Sequence, residues 1–136
     1  MAKKLHLNLV TPEKQLLSNK EVDFVVLPAL QGEMGILPGH INALVQLGMG
    51  SLRYKVAGSE SEFAVLGGFV EVVDDIVNVF AEGADLAEEI DEEAEKQKIK
   101  AAKASLSRKD ADIDFELAEM ELKQSIARMK VKHRRR

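Results

Sequence analysis

The chain has 136 residues, a net charge of −4 and 46% hydrophobic residues, enough for one small domain and an appendage. It has no cysteine and no tryptophan, and aromatics make up 4%. Disulfides, thiolate nucleophiles and cysteine metal sites are therefore excluded together, and a core must be built from Val, Leu and Ile. No run approaches the roughly 20 apolar residues of a membrane span. Met1-Ala2-Lys3-Lys4 leads straight into alternating residues, with no hydrophobic signal region. A soluble intracellular chain is expected.

From Leu5 to Glu82 the dominant period is two. Leu5-His6-Leu7-Asn8-Leu9 alternates as a half-buried strand does. Thr11-Pro12-Glu13-Lys14 breaks the pattern. Val22 to Leu27 is nearly continuous and apolar and ends at Pro28, which suits a strand covered on both faces. Gly32 to His40 then packs three glycines, a carboxylate, a proline and a histidine into nine positions, as a catalytic loop does and as tight turns that present a surface to a partner do. Further strands are expected over 43–47, 51–56, 62–66, 69–73 and 76–80, with separators at Gly48-Met49-Gly50, Ala57-Gly58-Ser59, Gly67-Gly68 and Asp74-Asp75. Short strands with turn residues at this spacing argue for an antiparallel sandwich or barrel. Gly67-Gly68, inside an apolar stretch, marks a bulge or a close backbone approach.

No glycine follows Gly83 and no proline follows Pro38. Ile90, Ala94, Gln97, Ala101 and Ala104 step by four and three, as do Ile113, Leu117, Met120, Gln124, Ala127 and Val131. Two helices joined near 107–112 follow, with Asp110 or Asp112 as the second N-cap, giving an αα-hairpin. The first seam is mostly alanine, each methyl worth roughly 0.8 kcal/mol on burial. The hairpin is thus either simply packed on the sandwich or a detachable element whose docked and extended states lie close in energy.

Charge is laid out unevenly. Residues 1–84 carry ten acids against six bases, while 85–136 balance thirteen against thirteen. Asp85 to Glu95 holds seven carboxylates and no base, and Arg128 to Arg136 holds six bases and no acid. The acidic run reads as a solvated helix start, where negative charge opposes the helix dipole, rather than as a metal site. The basic tail has no interleaved aromatics for base stacking, and the sandwich behind it is acidic. An acidic protein partner therefore suits it at least as well as RNA or anionic lipid, the plain alternative being a frayed, solvated tail. His40 is a lone loop histidine without a nucleophile or ligand pair, and His6 and His133 lie in a strand and in the tail. No phosphate-cradling or nucleophile-elbow motif is present, so the chain is not expected to be an enzyme.

The order of the pieces carries a resemblance. "LHLNLVTPEKQLLSNKEVDFVVLPALQGEMGILPGH", then "FAVLGGFVEVVDDIVNVFAEGAD", then a closing "IDEEAE" and "DIDFELAEMELKQSIARMKV" closely resemble the epsilon subunit of bacterial F-type ATP synthase over about residues 3–131. The resemblance implies a mainly β, α+β architecture: a ten-stranded antiparallel β-sandwich over 1–84 and a C-terminal antiparallel two-helix hairpin over 85–136. It implies a rotor-stalk subunit with gamma and the c-ring as partners, peripheral on the cytoplasmic face of the bacterial plasma membrane and associated with it only through the complex. By that likeness Gln31, Gly32, Glu33 and His40 face the c-ring and its gamma junction. The extended hairpin reaches the alpha/beta ring and blocks hydrolysis, with Arg128, Lys130, Lys132, Arg134, Arg135 and Arg136 meeting acidic segments of beta.

Relatives of that family bind regulatory ATP through a motif of the form I/L-D-x-x-R-A and arginines on the last helix. Here Ile90, Asp91 and Arg128 match, while Ala94 and Gln124 replace the expected arginines and Glu95 replaces the alanine. Losing two cations and gaining a carboxylate disfavours a polyphosphate, although Lys98 offers partial compensation. No cofactor is required. A rival reading, from the residues alone, is a free-standing module whose hairpin is an adaptor or chaperone arm.

Overall fold

A computed structural model describes residues 3–107 and 114–134. Eight strands come first: β1 (Leu5–Val10), β2 (Gln15–Val22), β3 (Phe24–Ala29), β4 (Gly32–Ile36), β5 (Ala43–Val56), β6 (Ser59–Val73), β7 (Ile76–Ala81) and β8 (Ala84–Leu86). Two helices follow, α1 (Glu92–Ser107) and α2 (Phe115–Arg134), after a single 3-10 turn over Ala87–Glu89. The strands hydrogen-bond in the order β2-β1-β7-β6-β5-β3-β4, with β8 on β6. The sheet folds over a core of Leu5, Leu7, Leu9, Val25, Leu27, Leu52, Val65, Val70, Val72, Val77 and Val79, all fully buried.

Among the described residues eight strands form, not the ten expected, because β5 and β6 run unbroken through the glycines that looked like separators. Their pairing never slips: Leu47 faces Gly68 and Met49 faces Leu66. What changes is which side is buried. In β6 the core positions are Phe63 and Val65 before the glycines but Val70 and Val72 after them, and β5 reverses likewise from Val45 and Leu47 to Leu52 and Tyr54. Gly67 and Gly68, at φ +89° and +120°, turn the pleat over, and a Cβ on Gly68 would run into the backbone of Phe80 and Ala81. Of the two readings of this pair, the close approach is the one realised. Each long strand so passes from one layer of the sandwich to the other.

The sandwich is not wholly antiparallel either. β1 and β7 pair in parallel, His6 beside Ile76 through Val10 beside Phe80, because the chain returns to β1 only after building the other layer. The run from Val22 divides at Asp23, whose N–H donates to the carbonyl of Lys55 at 2.8 Å and whose carboxylate accepts from Lys4 and from Ala57 N. β3 continues through Pro28 to Ala29. Its ladder to β5 shifts register between Val26 and Ala29, so the missing N–H of Pro28 interrupts nothing. β3 is also less covered than its composition suggests, with Phe24 and Val26 only half-buried.

Asp91 caps α1 by accepting from Ala94 N at 3.1 Å, and Asp114 caps α2 by accepting from Leu117 N at 3.1 Å. Asp110, Asp112 and Ile113 lie outside the described residues. The α1 seam is corrected. Ala94, Gln97, Ala101 and Ala104 are exposed, and the covered face, one residue on, is Glu95, Ile99, Ala102, Ser105 and Leu106. Ile99 and Leu106 offer more area than any alanine, so they decide the face. On α2, Ala127 and Val131 are buried as expected, but Leu117 and Met120 are exposed. Val131 joins Ala64, Ala87 and Ile90 in a second, small apolar cluster that seats the hairpin on the outer side of β6.

Candidate functional site

Gln31 to His40 is not one loop. Leu30 and Gln31 make the tip of a β3–β4 hairpin in which Ala29 faces Gly32. Gly32 and Glu33 begin β4, five residues that carry the chain about 13 Å away before the turn at His40. Gln31, Gly32 and Glu33 thus sit together at one end, and His40 stands apart at the other. Arg53 donates to Glu33 at 2.6 Å, and this hydrogen bond holds the Glu33 carboxyl below the usual carboxylate range. His40 shapes its turn: its N–H donates to Leu37 O at 3.1 Å and its Nδ1 lies 2.7 Å from Ile41 O. Gly39 N donates to Asp75 at 2.7 Å, tying this turn to the β6–β7 connection.

The basic end of α2 is spent inside the chain. Arg128 pairs with Asp85 at 2.8 Å and with Glu95 at 3.6 Å. Lys132 donates to the carbonyls of Ala87 and Glu88, His133 lies 2.8 Å from Glu92, and Arg134 pairs with Glu62 at 3.3 Å. Lys130 is exposed, and Arg135 and Arg136 lie outside the described residues. The acidic run is correspondingly less solvated than its composition suggests. Asp91 is a cap, Glu92 is half-buried, and Glu95 is 5% exposed. Among the described residues, Glu95 Oε2 has no hydrogen-bond partner, while Oε1 faces Lys98 at 3.5 Å.

The residues of the ATP motif lie within this network. Ile90 is buried under Val131, Asp91 is occupied as a cap, and Arg128 is already held by two carboxylates. Ala94 is exposed, and Glu95 puts a buried negative charge beside the one retained arginine.

One surface had no signal in the motif reading. On the outer side of the layer away from α2, Phe69 and Phe80 stack at 5.0 Å, exposed by 47% and 39%. Below them Asn8 donates to Asn78 at 2.9 Å and Asn78 donates to Glu71 at 3.3 Å, across β1, β7 and β6. Beyond this polar row lie Leu44, Val73 and Ile76, continued by Leu37 and Ile41, all exposed. The alternation of β5, β6 and β7 contains this face, but the residues read there as ordinary strand. An apolar face of this extent marks a partner surface.

Residues 4–87 match the model of the ATP synthase delta/epsilon chain β-sandwich domain. The chain is 42% identical over 132 residues to the ATP synthase epsilon chain of Nitratidesulfovibrio vulgaris, covering 97% of this chain and 98% of that one. It belongs to the ATP synthase delta/epsilon chain family. The epsilon chain of Elusimicrobium minutum is 50% identical over 109 residues, 80% of this chain and 81% of its own. A chain of the Euglena gracilis mitochondrial ATP synthase OSCP/F1/c-ring assembly superposes with a TM-score of 0.78 at 26% identity, over 91% of this chain and 78% of that one. One in the Tetrahymena thermophila central stalk and c-ring shares the fold, with a TM-score of 0.62 at 18% identity, over 96% and 97%. As an epsilon-type member of the family the chain is a non-catalytic subunit of ATP synthase. Among the described residues, no helix is long and apolar enough to cross a membrane.

Proposed function

We propose that the chain is the central-stalk subunit that fixes gamma to the c-ring, so that ion translocation drives ATP synthesis, and that its hairpin restrains hydrolysis when it extends. The observation that carries this reading is the division of the molecule into two sides. One layer presents the unpartnered Phe69–Phe80 and Leu37–Leu44 surface, while α2 occupies the other through a small apolar cluster and a set of ion pairs. The first suits a permanent partner and the second a reversible one. Gamma takes the apolar face in this assignment. Gln31, Gly32 and Glu33 at the start of β4, and His40 in the turn that follows it, meet the c-ring and its gamma junction. The released cations Arg128, Lys130, Lys132 and Arg134, with Arg135 and Arg136, meet acidic segments of beta. The chain is held at the cytoplasmic face of the bacterial plasma membrane by this complex alone.

Weak or no ATP binding completes the proposal, since Arg128 is already occupied by Asp85 and Glu95. Calorimetry on the isolated chain reads this directly, and micromolar affinity would overturn it. For the main reading, a tagged chain drawn from membranes brings down gamma and the alpha/beta hexamer. A chain cut after Ala87 still does so while hydrolysis by the complex rises. Recovery of the full chain alone counts against the assignment to the stalk, and unchanged hydrolysis counts against the restraint.

A further inference from the structure

On the outer side of the layer away from α2, one carboxylate stands among apolar side chains, and a directed row of hydrogen bonds fixes it there. Glu71 lies opposite Leu44 on β5 and Asn78 on β7, with Phe69 and Val73 two residues away on the same face of its own strand. Leu44, Phe69 and Val73 are exposed, as is Glu71 itself. Asn19 N–H donates to Asn8 Oδ1 at 2.7 Å, and a backbone N–H cannot accept. The Asn8 amide is therefore fixed with its Nδ2 toward Asn78 Oδ1, at 2.9 Å. That leaves Asn78 its Nδ2 for Glu71, which accepts at 3.3 Å. The row runs one way, from a backbone donor to a carboxylate. Among the described residues Glu71 has no ion pair, and no lysine or arginine occurs in 43–47, 69–73 or 76–81.

We infer that Glu71 selects the partner of this face by requiring an arginine or lysine opposite it, and, resting on the function proposed above, that this cation belongs to gamma. A partner that covers Leu44, Phe69 and Val73 strips the water from Glu71 as well. Asn78 serves the carboxylate from one side only, and its amide cannot turn without breaking the row back to Asn19. The remaining lone pairs point into the partner. A carboxylate enclosed in this way is costly unless a cation meets it. A purely apolar surface that matched the two phenylalanines would therefore be rejected, which is how one charge confers choice on an apolar contact. A second copy of the chain fits poorly, because the same three strands would offer Glu71 no cation.

Dissociation from the assembled complex tests this. The full chain carrying a fluorophore, native or variant, is built into ATP synthase and chased with excess unlabelled native chain. Glu71→Gln leaves about thirtyfold faster or more, because the cation of gamma stays buried without its partner. Gln keeps an acceptor for Asn78, so the urea midpoint of the isolated chain is unchanged. A fall in that midpoint would assign Glu71 to the sheet and overturn the inference. Phe80→Ser, on the same face, also leaves faster. If it does while Glu71→Gln leaves at the native rate, the face docks without a cation and the inference fails alone. If neither variant leaves faster, or the native chain is absent from the complex, the assignment of this face to gamma fails with it. Replacing each arginine and lysine of gamma in turn by Met identifies the cation. One replacement speeds release of the native chain and adds nothing to Glu71→Gln, and the lack of any such residue overturns the inference.

Discussion

Replacing Val131 by Asp should release the hairpin while the sandwich stays folded. Val131 is 3% exposed and is the only member that α2 gives to the cluster with Ala64, Ala87 and Ile90 among the described residues. Removing a buried valine costs about 1.5–3 kcal/mol. An aspartate in its place must stay neutral, which at pH 7 costs roughly 4 kcal/mol against an ordinary carboxylate, or must be buried charged at greater cost. The pairs of Arg128 with Asp85 and His133 with Glu92 involve partly exposed partners, and such pairs return about 0–1 kcal/mol each. The two costs together come to about 5.5–7 kcal/mol and move the docked-to-released ratio by about ten-thousandfold or more. Hydrogen exchange on the full chain reads the two parts separately. Peptides from 115–134 lose protection, and those from β1, β6 and β7 keep it. Loss of protection in both together would mean that the hairpin is fused into the sandwich, and unchanged α2 protection would mean that the cluster does not hold it.

Gly68→Ala should lower unfolding free energy by about 3 kcal/mol or more, from a forbidden φ and overlap with the Phe80 backbone. Gly58→Ala, at φ +83° with open space around it, should lose only about 1 kcal/mol. Urea denaturation compares the two, and similar losses would refute the close approach. Arg128→Ala leaves the buried carboxylate of Glu95 without its guanidinium and should weaken docking by about 1–3 kcal/mol. Protease cleavage within α1 should rise with it, and adding Glu95→Ala should reverse much of that rise. Glu33 has its carboxyl held down by Arg53, and Asp23 has its own held down first by Lys4. Their contributions are therefore complete above the ordinary values of 4.5 and 3.8 and vanish as pH falls through the lowered ones. The urea midpoint should decline in that acid range, and more gently in Glu33→Gln, whereas an identical slope would remove Glu33 from the account.

The clean alternation of Leu5 to Leu9 stated its strand outright, because one face meets water and the other the core. β2 was missed because Ser18 to Glu21 is polar on both faces, an exposed edge that only its pairing with β1 makes a strand. The long β5 and β6 were cut in the sequence reading because a pair of left-handed glycines reverses the pleat, and a period-two pattern that changes phase looks like two strands. The α1 seam slipped by one residue because Ala94, Ala101, Ala102 and Ala104 make neighbouring faces nearly equal, leaving Ile99 and Leu106 to choose. Arg128 was legible as a site residue, but Glu95 read as a mere departure from a motif. Its buried pairing depends on the contact between two helices some thirty residues apart. Glu33 was legible and its partner was not, since nothing local to Arg53 in the sequence points across β3.

The exposed half of the α2 seam carries the last prediction. Leu117, Met120, Gln124, Ala127 and Val131 form one line along the helix, yet only its C-terminal part is covered, and Leu117 and Met120 stay 55% and 43% exposed. From Leu117 to Val131 the line is about 21 Å long, and the docked platform accounts for the last turn or two. A helix gains nothing from an apolar line longer than its seat unless another state covers the rest. Replacing Leu117 and Met120 by Ser should therefore leave exchange protection around Val131 unchanged, since neither side chain is part of the docked cluster. The same double variant should weaken restraint of hydrolysis in the assembled complex, where the extended helix would bury both residues. If protection at Val131 fell instead, the line would belong to docking. If restraint were untouched, the extended helix would be gripping its partner through charge alone.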